Sequence, residues 1–378
     1  MMNIPFNKPY LSGRELDYIS KAVANGRTSG NRDYTAACHS FFKQQYGFRK
    51  SLLTTSCTDA LEMTSILANI QPGDEVILPS FTFVSTANAF ALRGAKLVFA
   101  DSQAGQPNID HHSLEALVNP KTKAIVPVHY AGVACHMDAI MDLAQRHELL
   151  VIEDAAQAID SFFNGKALGG IGHMAAFSFH ETKNIICGEG GMLNVNDPSY
   201  AARAEIIWEK GTNRAAFYRG EVDKYGWVDV GSSFLPSDLL AAFLFAQLEH
   251  LEQIQSRRKA IWERYYQNLK ALEMAQGVGL PHIPEYATNN GHMFYLVCNS
   301  LDERSGLIDH LKASGVHAVF HYLSLHTSPY YSAKHDGRHL PQTDRYTDCL
   351  LRLPLYYELR DAELDYICEK VLEYYKKR

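Results

Sequence analysis

No stretch of this sequence approaches the roughly 20 consecutive apolar residues that a membrane-spanning helix requires. The opening residues, Met1 to Tyr10, lack the apolar core of a secretory signal, so none is expected there. A basic excess is also missing: 36 Lys and Arg stand against 42 Asp and Glu, a net charge of -6. That argues against a nucleic-acid-binding face, which needs clustered positive charge. The 7 cysteines are odd in number and form no C-x-x-C pair. In a chain this long they predict reduced thiols in a cytoplasmic setting rather than a disulfide framework. No H-E-x-x-H and no G-x-S-x-G occurs, and His321 and His326 are spaced i, i+5, a poor helix-face metal pair. No metal is expected. No G-x-G-x-x-G follows the first strand-like run, which weakens a dinucleotide reading.

What is present is enough apolar material for a large core: 378 residues, 46% hydrophobic. That length suggests two or three domains. From about 51 to 153, short apolar runs alternate with helical ones. Ser51–Thr55, Glu75–Pro79, Lys96–Ala100, Ala124–Val128 and Leu149–Glu153 read as strands buried on both faces. Thr58–Leu67, Val84–Leu92 and Met137–His147 read as the helices between them. Such alternation predicts an α/β fold with a mostly parallel sheet flanked by helices. Phe177 and Met192–Val195 look like further strands with no room for a crossover helix, so antiparallel pairing is expected. Ala155–Met174 has little periodicity, and so long a loop in a compact domain is usually functional. Leu239–Leu272 reads as one or two long helices with Ser237 as N-cap. We place a large domain at 1–250, and a long helix with a smaller α+β domain at 251–378.

The segment Phe177-Ser178-Phe179-His180-Glu181-Thr182-Lys183 runs on to a Gly188-Glu189-Gly190-Gly191 turn. A Lys at the mouth of a buried strand is a candidate Schiff-base former, and Ser178 beside it is suited to a phosphate. Together they point to pyridoxal phosphate (PLP). Asp154 ends the run Leu149–Asp154, at the carboxyl edge where open α/β sheets bind ligands. A carboxylate there can keep a pyridine nitrogen protonated, whereas Glu153 faces the other way. Ser56-Cys57-Thr58-Asp59 has capping-box spacing after the first strand, and a helix start there is also an anion site. Phe83 follows another strand, where an aromatic can stack on a cofactor ring, although core packing is the commoner fate of a single Phe.

These motifs, in this order, resemble the DegT/DnrJ/EryC1/StrS sugar aminotransferases of PLP fold type I. The resemblance also covers Pro72–Ile77, Thr122–His129, Glu153–Ala158, Gly315-Val316 with His321-Tyr322, and Leu353-Pro354-Leu355. It implies a seven-stranded sheet, PLP as cofactor, and amino transfer from L-glutamate to a nucleotide-linked 4-keto-6-deoxy sugar. By the same resemblance Lys183 carries the cofactor and Asp154 meets its ring nitrogen. Gln157 lies near the ring hydroxyl, Ser178, Cys57 and Thr58 hold the phosphate, and Phe83 covers the ring. A homodimer or larger assembly with shared active sites is also implied. Two departures stand out. The usual Ser-Gly-Thr is Ser56-Cys57-Thr58, so an ordinary residue must reach that turn. The usual Gly-Tyr-Asn-Tyr-Arg is Gly231-Ser232-Ser233-Phe234-Leu235, which leaves Ser233 to reach a partner's phosphate. The rivals are a PLP sugar dehydratase, in which His replaces the Lys, a non-catalytic PLP-binding homologue, and a nicotinamide-dependent reductase. His129, Tyr130, His321 and Tyr322 are the candidates for sugar contacts.

Overall fold

A computed structural model describes residues 3–377. Helices α1 (Glu15–Ala24) and α2 (Asp33–Tyr46) lead into β1 (Lys50–Thr54), α3 (Cys57–Leu67), β2 (Glu75–Pro79), α4 (Val84–Ala91) and β3 (Lys96–Ala100). Next come β4 (Thr122–Ile125), α5 (Met137–Arg146) and β5 (Leu150–Asp154), a small hairpin of β6 (Phe162–Phe163) and β7 (Lys166–Ala167), then β8 (Met174–Ser178) and β9 (Gly191–Val195). Seven of these strands form one sheet, in the order β1-β9-β8-β5-β4-β2-β3. All pairs from β3 through β8 are parallel, while β9 runs antiparallel to both its neighbours. The predicted α/β sheet is therefore present, including its reversed strand. The connector from β8 to β9 holds no helix, so the chain returns beside β8 without a crossover.

Side-chain alternation divides the sheet's apolar residues between two cores. Leu53, Ile77, Val98, Ile125 and Val151 face one core with Phe42 of α2 and Ile140 of α5. Leu52, Val76, Leu97, Ala124 and Ile152 face the other with Leu61 of α3 and Phe90 of α4. Burial on both faces is why these strands read as continuous apolar runs.

The rest of the chain adds α6 (Ala201–Trp208), α7 (Arg214–Tyr218), α8 (Asp238–Leu248), α9 (Leu251–Leu269) and α10 (Ala271–Gln276). A second sheet then forms from β10 (Phe294–Val297), β11 (Val319–Phe320) and β12 (Leu350–Leu353), with α11 (Leu301–Ala313), α12 (Pro341–Cys349) and α13 (Asp361–Lys376). Its order is β10-β12-β11, and it has its own core with α9, α11 and α13. The N-terminal segment crosses back to this sheet: Ile4 bridges Val316, with its N–H donating to Gly315 O at 2.8 Å.

Two local expectations change. The strand expected over Ala124–Val128 is Thr122–Ile125, although Val126 still donates to Ile77 O and Val128 still bridges Asp154. Ser237 occupies the N-cap of α8, but its side chain caps nothing. Instead, the first-turn Asp238 of that helix accepts from the Tyr34 and Thr35 backbone N–H groups, tying α8 to α2.

One buried contact sets an acid limit. His39 Nε2 accepts from the Leu53 N–H at 3.1 Å, joining α2 to β1. Burial, then the nearby Lys50 charge, pushes its pKa down to about 4. The unfolded chain binds that proton near pH ~6.5. The His39 contribution to stability is therefore complete above ~6.5 and is lost as pH falls from there toward 4. His292 and His321, also held well below the ordinary value by burial, add to the same slope. Urea melts at pH 7 and pH 5 should show a lower unfolding free energy at pH 5; equal values would exclude this account.

Candidate active site

A cavity of about 570 Å³ opens at the carboxyl edge of the large sheet and extends to the second sheet. Strands β1, β5 and β8 each deliver polar residues to it. After β1 the chain turns into α3 with Ser56 as N-cap, its Oγ accepting from the Asp59 N–H at 3.0 Å. The expected return bond does not form: the Asp59 carboxylate takes the Thr55 hydroxyl rather than the Ser56 amide. Cys57 opens the helix with ordinary backbone, so the departure from Gly costs nothing in φ. Thr58 Oγ1 lies 2.7 Å from Ser85 Oγ. Gly191 of β9 packs directly beneath: a Cβ there would sit 2.4 Å from the Ser56 and Cys57 backbone. The free amides of this helix start, with Thr58 and Ser178, form a cradle suited to a phosphate.

Asp154 projects into the cavity from the end of β5. Its Oδ2 accepts from Thr86 Oγ1 at 2.7 Å and its Oδ1 from the Ala156 N–H at 3.1 Å. Lys183 reaches the same cavity from the β8–β9 loop. Burial lowers its amine pKa from the ordinary value, opposed by Cys57 and Asp154. The loop is pinned next to it: Asn184 Nδ2 donates to Gln255 Oε1 at 2.8 Å and to Asn290 O at 2.9 Å, and His292 Nδ1 donates to Asn184 Oδ1 at 2.8 Å. Gln157 Oε1 accepts from the Ala131 N–H at 2.6 Å, and its Nε2 donates to Tyr322 Oη at 3.1 Å. Phe83 is 56% exposed and lines the cavity beside Tyr322, so the core-packing reading does not hold for it.

The structure brings Cys57, Thr58, Phe83, Asp154, Gln157, Ser178 and Lys183 together around one cavity. Ser233 is not on its wall; it lies exposed in a bridge with Glu209. His321 and Tyr322 reach the cavity. His129 does not, because it is fully buried and bonded to Glu153 at 3.0 Å. Tyr130 is likewise buried behind the wall, its Oη 3.1 Å from His321 Nδ1. Sequence reasoning missed Thr86, His292 and Arg352, which also line the cavity. Only Arg352 carries a readable signal, a charge inside the apolar run Leu350–Leu353.

An anion cradle, a buried amine, a carboxylate and a flanking aromatic fit a phosphorylated pyridine aldehyde such as PLP. Residues 9–372 match the sequence model of the DegT/DnrJ/EryC1/StrS aminotransferase family. The chain belongs to that family. The DegT/DnrJ/EryC1/StrS fold accounts for the whole chain. The aminotransferase TlmJ from Streptoalloteichus hindustanus is 29% identical, with 100% of each chain covered and a TM-score of 0.91. S. venezuelae DesV, solved in complex with a ketimine intermediate, is 29% identical, again with 100% of each chain covered, at a TM-score of 0.90. The fold is shared with the PLP-form of the putative sugar aminotransferase Spr1654 from Streptococcus pneumoniae, at 24% identity, 100% and 99% coverage and a TM-score of 0.91. As a DegT/DnrJ/EryC1/StrS protein the enzyme is a PLP-dependent sugar aminotransferase. Among the described residues no helix is long and apolar enough to cross a membrane.

Proposed function

We propose that the enzyme moves the amino group of L-glutamate to C4 of dTDP-4-keto-6-deoxy-D-glucose. The products are dTDP-4-amino-4,6-dideoxy-D-galactose and 2-oxoglutarate, made in the cytoplasm for enterobacterial common antigen. The whole-sequence resemblance to dTDP-4-amino-4,6-dideoxygalactose transaminase supports that substrate. The observation that carries the chemistry is the buried Lys183 amine sharing one cavity with Asp154. A dehydratase of this fold would hold His at that position.

PLP, when bound, supplies an electron sink for the carbanion formed on either substrate. Asp154, held by Thr86 and Ala156, would meet the ring nitrogen and keep it protonated. Ser178, Thr58 and the α3 amides would take the phosphate, and Gln157 would lie toward the ring hydroxyl. Phe83 offers an aromatic face to the ring. Lys183 would hold the cofactor and, once freed by the donor's nitrogen, would serve as general base. Its amine would take the proton from the donor Cα and, with the keto-sugar, would return one to the sugar C4. A lowered amine pKa suits that task, because the neutral amine is the base.

We further propose a homodimer in which Ser233 reaches the partner's phosphate cradle. Ser233 follows a segment with exposed Tyr218 (70%) and Trp227 (85%), a density of bare aromatics that suits an interface. The large domain spans 1–250 and the smaller part 251–378 in this reading.

Purified enzyme should be yellow, and L-glutamate alone should bleach it. A panel of dTDP-linked 3-keto and 4-keto sugars should then give product only from the 4-keto-6-deoxy sugar. Amine appearing at C3, or protein that stays colourless with added PLP, would overturn the proposal.

A further inference from the structure

Arg352 is a charge without a counter-charge. It stands in β12 between Leu351 and Leu353, both buried, and its side chain enters the cavity that Lys183 shares. Among the described residues its Nε is buried with no hydrogen-bond partner, and no carboxylate pairs with it. Its electrostatic neighbours of potentially opposite sign are the hydroxyls of Tyr130 and Tyr322, and burial opposes its charge. A guanidinium stays protonated, so such a site is stable only if an anion completes it. The phosphate cradle is built elsewhere, by the β1–α3 and β8–β9 junctions of the large sheet, whereas Arg352 comes from the second sheet.

The guanidinium is also oriented. Its central carbon lies 4.5 Å from the Phe6 ring centroid. Phe6 is held between Ile4, bonded to Gly315 O, and Asn7, whose Nδ2 donates to Glu181 O at 3.2 Å in the Lys183 loop. With one face against the ring, the in-plane N–H fork is left for a planar, two-oxygen acceptor.

We infer that Arg352, positioned by Phe6, receives the α-carboxylate of the amino donor. The inference rests on the aminotransferase reading. The donor nitrogen must take the place of the Lys183 amine, and its α-carboxylate is attached to the carbon bearing that nitrogen. Arg352 and Lys183 line the same cavity of about 570 Å³, so one bound donor can meet both. The diphosphate of a nucleotide sugar leaves from C1, across the sugar ring from the reacting C4, and so lies farther out.

The test uses PLP-loaded wild type, Arg352→Gln, Arg352→Lys and Phe6→Leu. Borohydride trapping of PLP on Lys183, read by mass, checks the aminotransferase reading by itself; failure in wild type sinks that reading. The bleaching half-reaction then gives the donor Kd. Arg352→Gln should raise it for L-glutamate roughly 10- to 100-fold, with the KM for the keto-sugar unchanged. Arg352→Lys should recover part of the loss. The same variant should leave 4-aminobutanoate, which lacks the α-carboxylate, at its wild-type affinity. Phe6→Leu should weaken glutamate less, without moving the sugar KM, and it keeps the inference testable should Arg352→Gln fail to fold. An unchanged glutamate Kd with a raised sugar KM would assign Arg352 to the diphosphate instead. Equal losses for glutamate and 4-aminobutanoate would also overturn the inference.

Discussion

Lys183→Ala should leave a folded protein that no longer captures PLP covalently and turns over at least about 10⁴-fold more slowly. Two roles are lost together, the tether and the base. Their effects are not additive, because both use the same nitrogen. Stability should change far less. Among the described residues the Lys183 side chain makes no hydrogen bond, and its amine pays a desolvation cost. Ala removes that burial and leaves no partner unsatisfied. Mass after borohydride, turnover and the thermal midpoint separate the three effects. Turnover within tenfold of wild type would end the case for Lys183. A collapsed midpoint would show instead that the loop depends on this side chain for its fold.

Glu153→Gln should have the largest effect on stability of any change near the site, although Glu153 never touches the cavity. Its carboxylate is fully buried and accepts four hydrogen bonds. The Gly169 N–H donates at 2.7 Å, Ile171 at 2.8 Å and Gly172 at 2.6 Å, and His129 Nε2 completes the set at 3.0 Å. His129 Nδ1 accepts from the Cys135 N–H at 3.2 Å, so its proton lies on Nε2, facing Glu153. An amide in place of the carboxylate turns one oxygen into a donor. Whichever way it flips, two of the four donors then meet N–H instead of an acceptor. The cost is about 3–5 kcal/mol, typical of a buried charged acceptor removed from its partners. Urea melts of the two proteins measure it, and a difference under about 1 kcal/mol would show that the loop closes without this carboxylate. Activity should fall as well, because Asp154 is the next residue on β5 and the released segment begins directly after it.

That pair of neighbours shows how far alternation along a strand can be read. The period of two puts Glu153 and Asp154 on opposite sides, and the structure keeps that division. It does not say what each side meets. Asp154 faces a cavity because β5 ends at the ligand edge. Glu153 faces three amides because the 155–174 segment, which has no period of its own, folds back beneath it. The aperiodic segment looked functional from its length: it gives Ala156 and Gln157 to the cavity, and Glu153 anchors its far end. His129 and Tyr130 were misplaced for the same reason: polar and aromatic residues past a strand end suit a ligand contact equally well as a buried link between loops. Phe83 read by itself favours the core and read by resemblance the cofactor ring; only the fold shows that the α4 start lies open to the cavity.

Local pattern alone determined the strands of the large sheet, its reversed β9, the helix start at Ser56, and the placement of Asp154 at a strand end and of Lys183 in the loop past another. Each depends on neighbours within a few residues, where side-chain period and connector length act directly. The tertiary structure decided what lies between distant segments: Thr86 on Asp154, Asn290 and His292 around Asn184, and Arg352 with Phe6 across from Lys183. Those contacts join residues up to hundreds of positions apart. They form only when two sheets close on one cavity, and no periodicity along the chain records that distance.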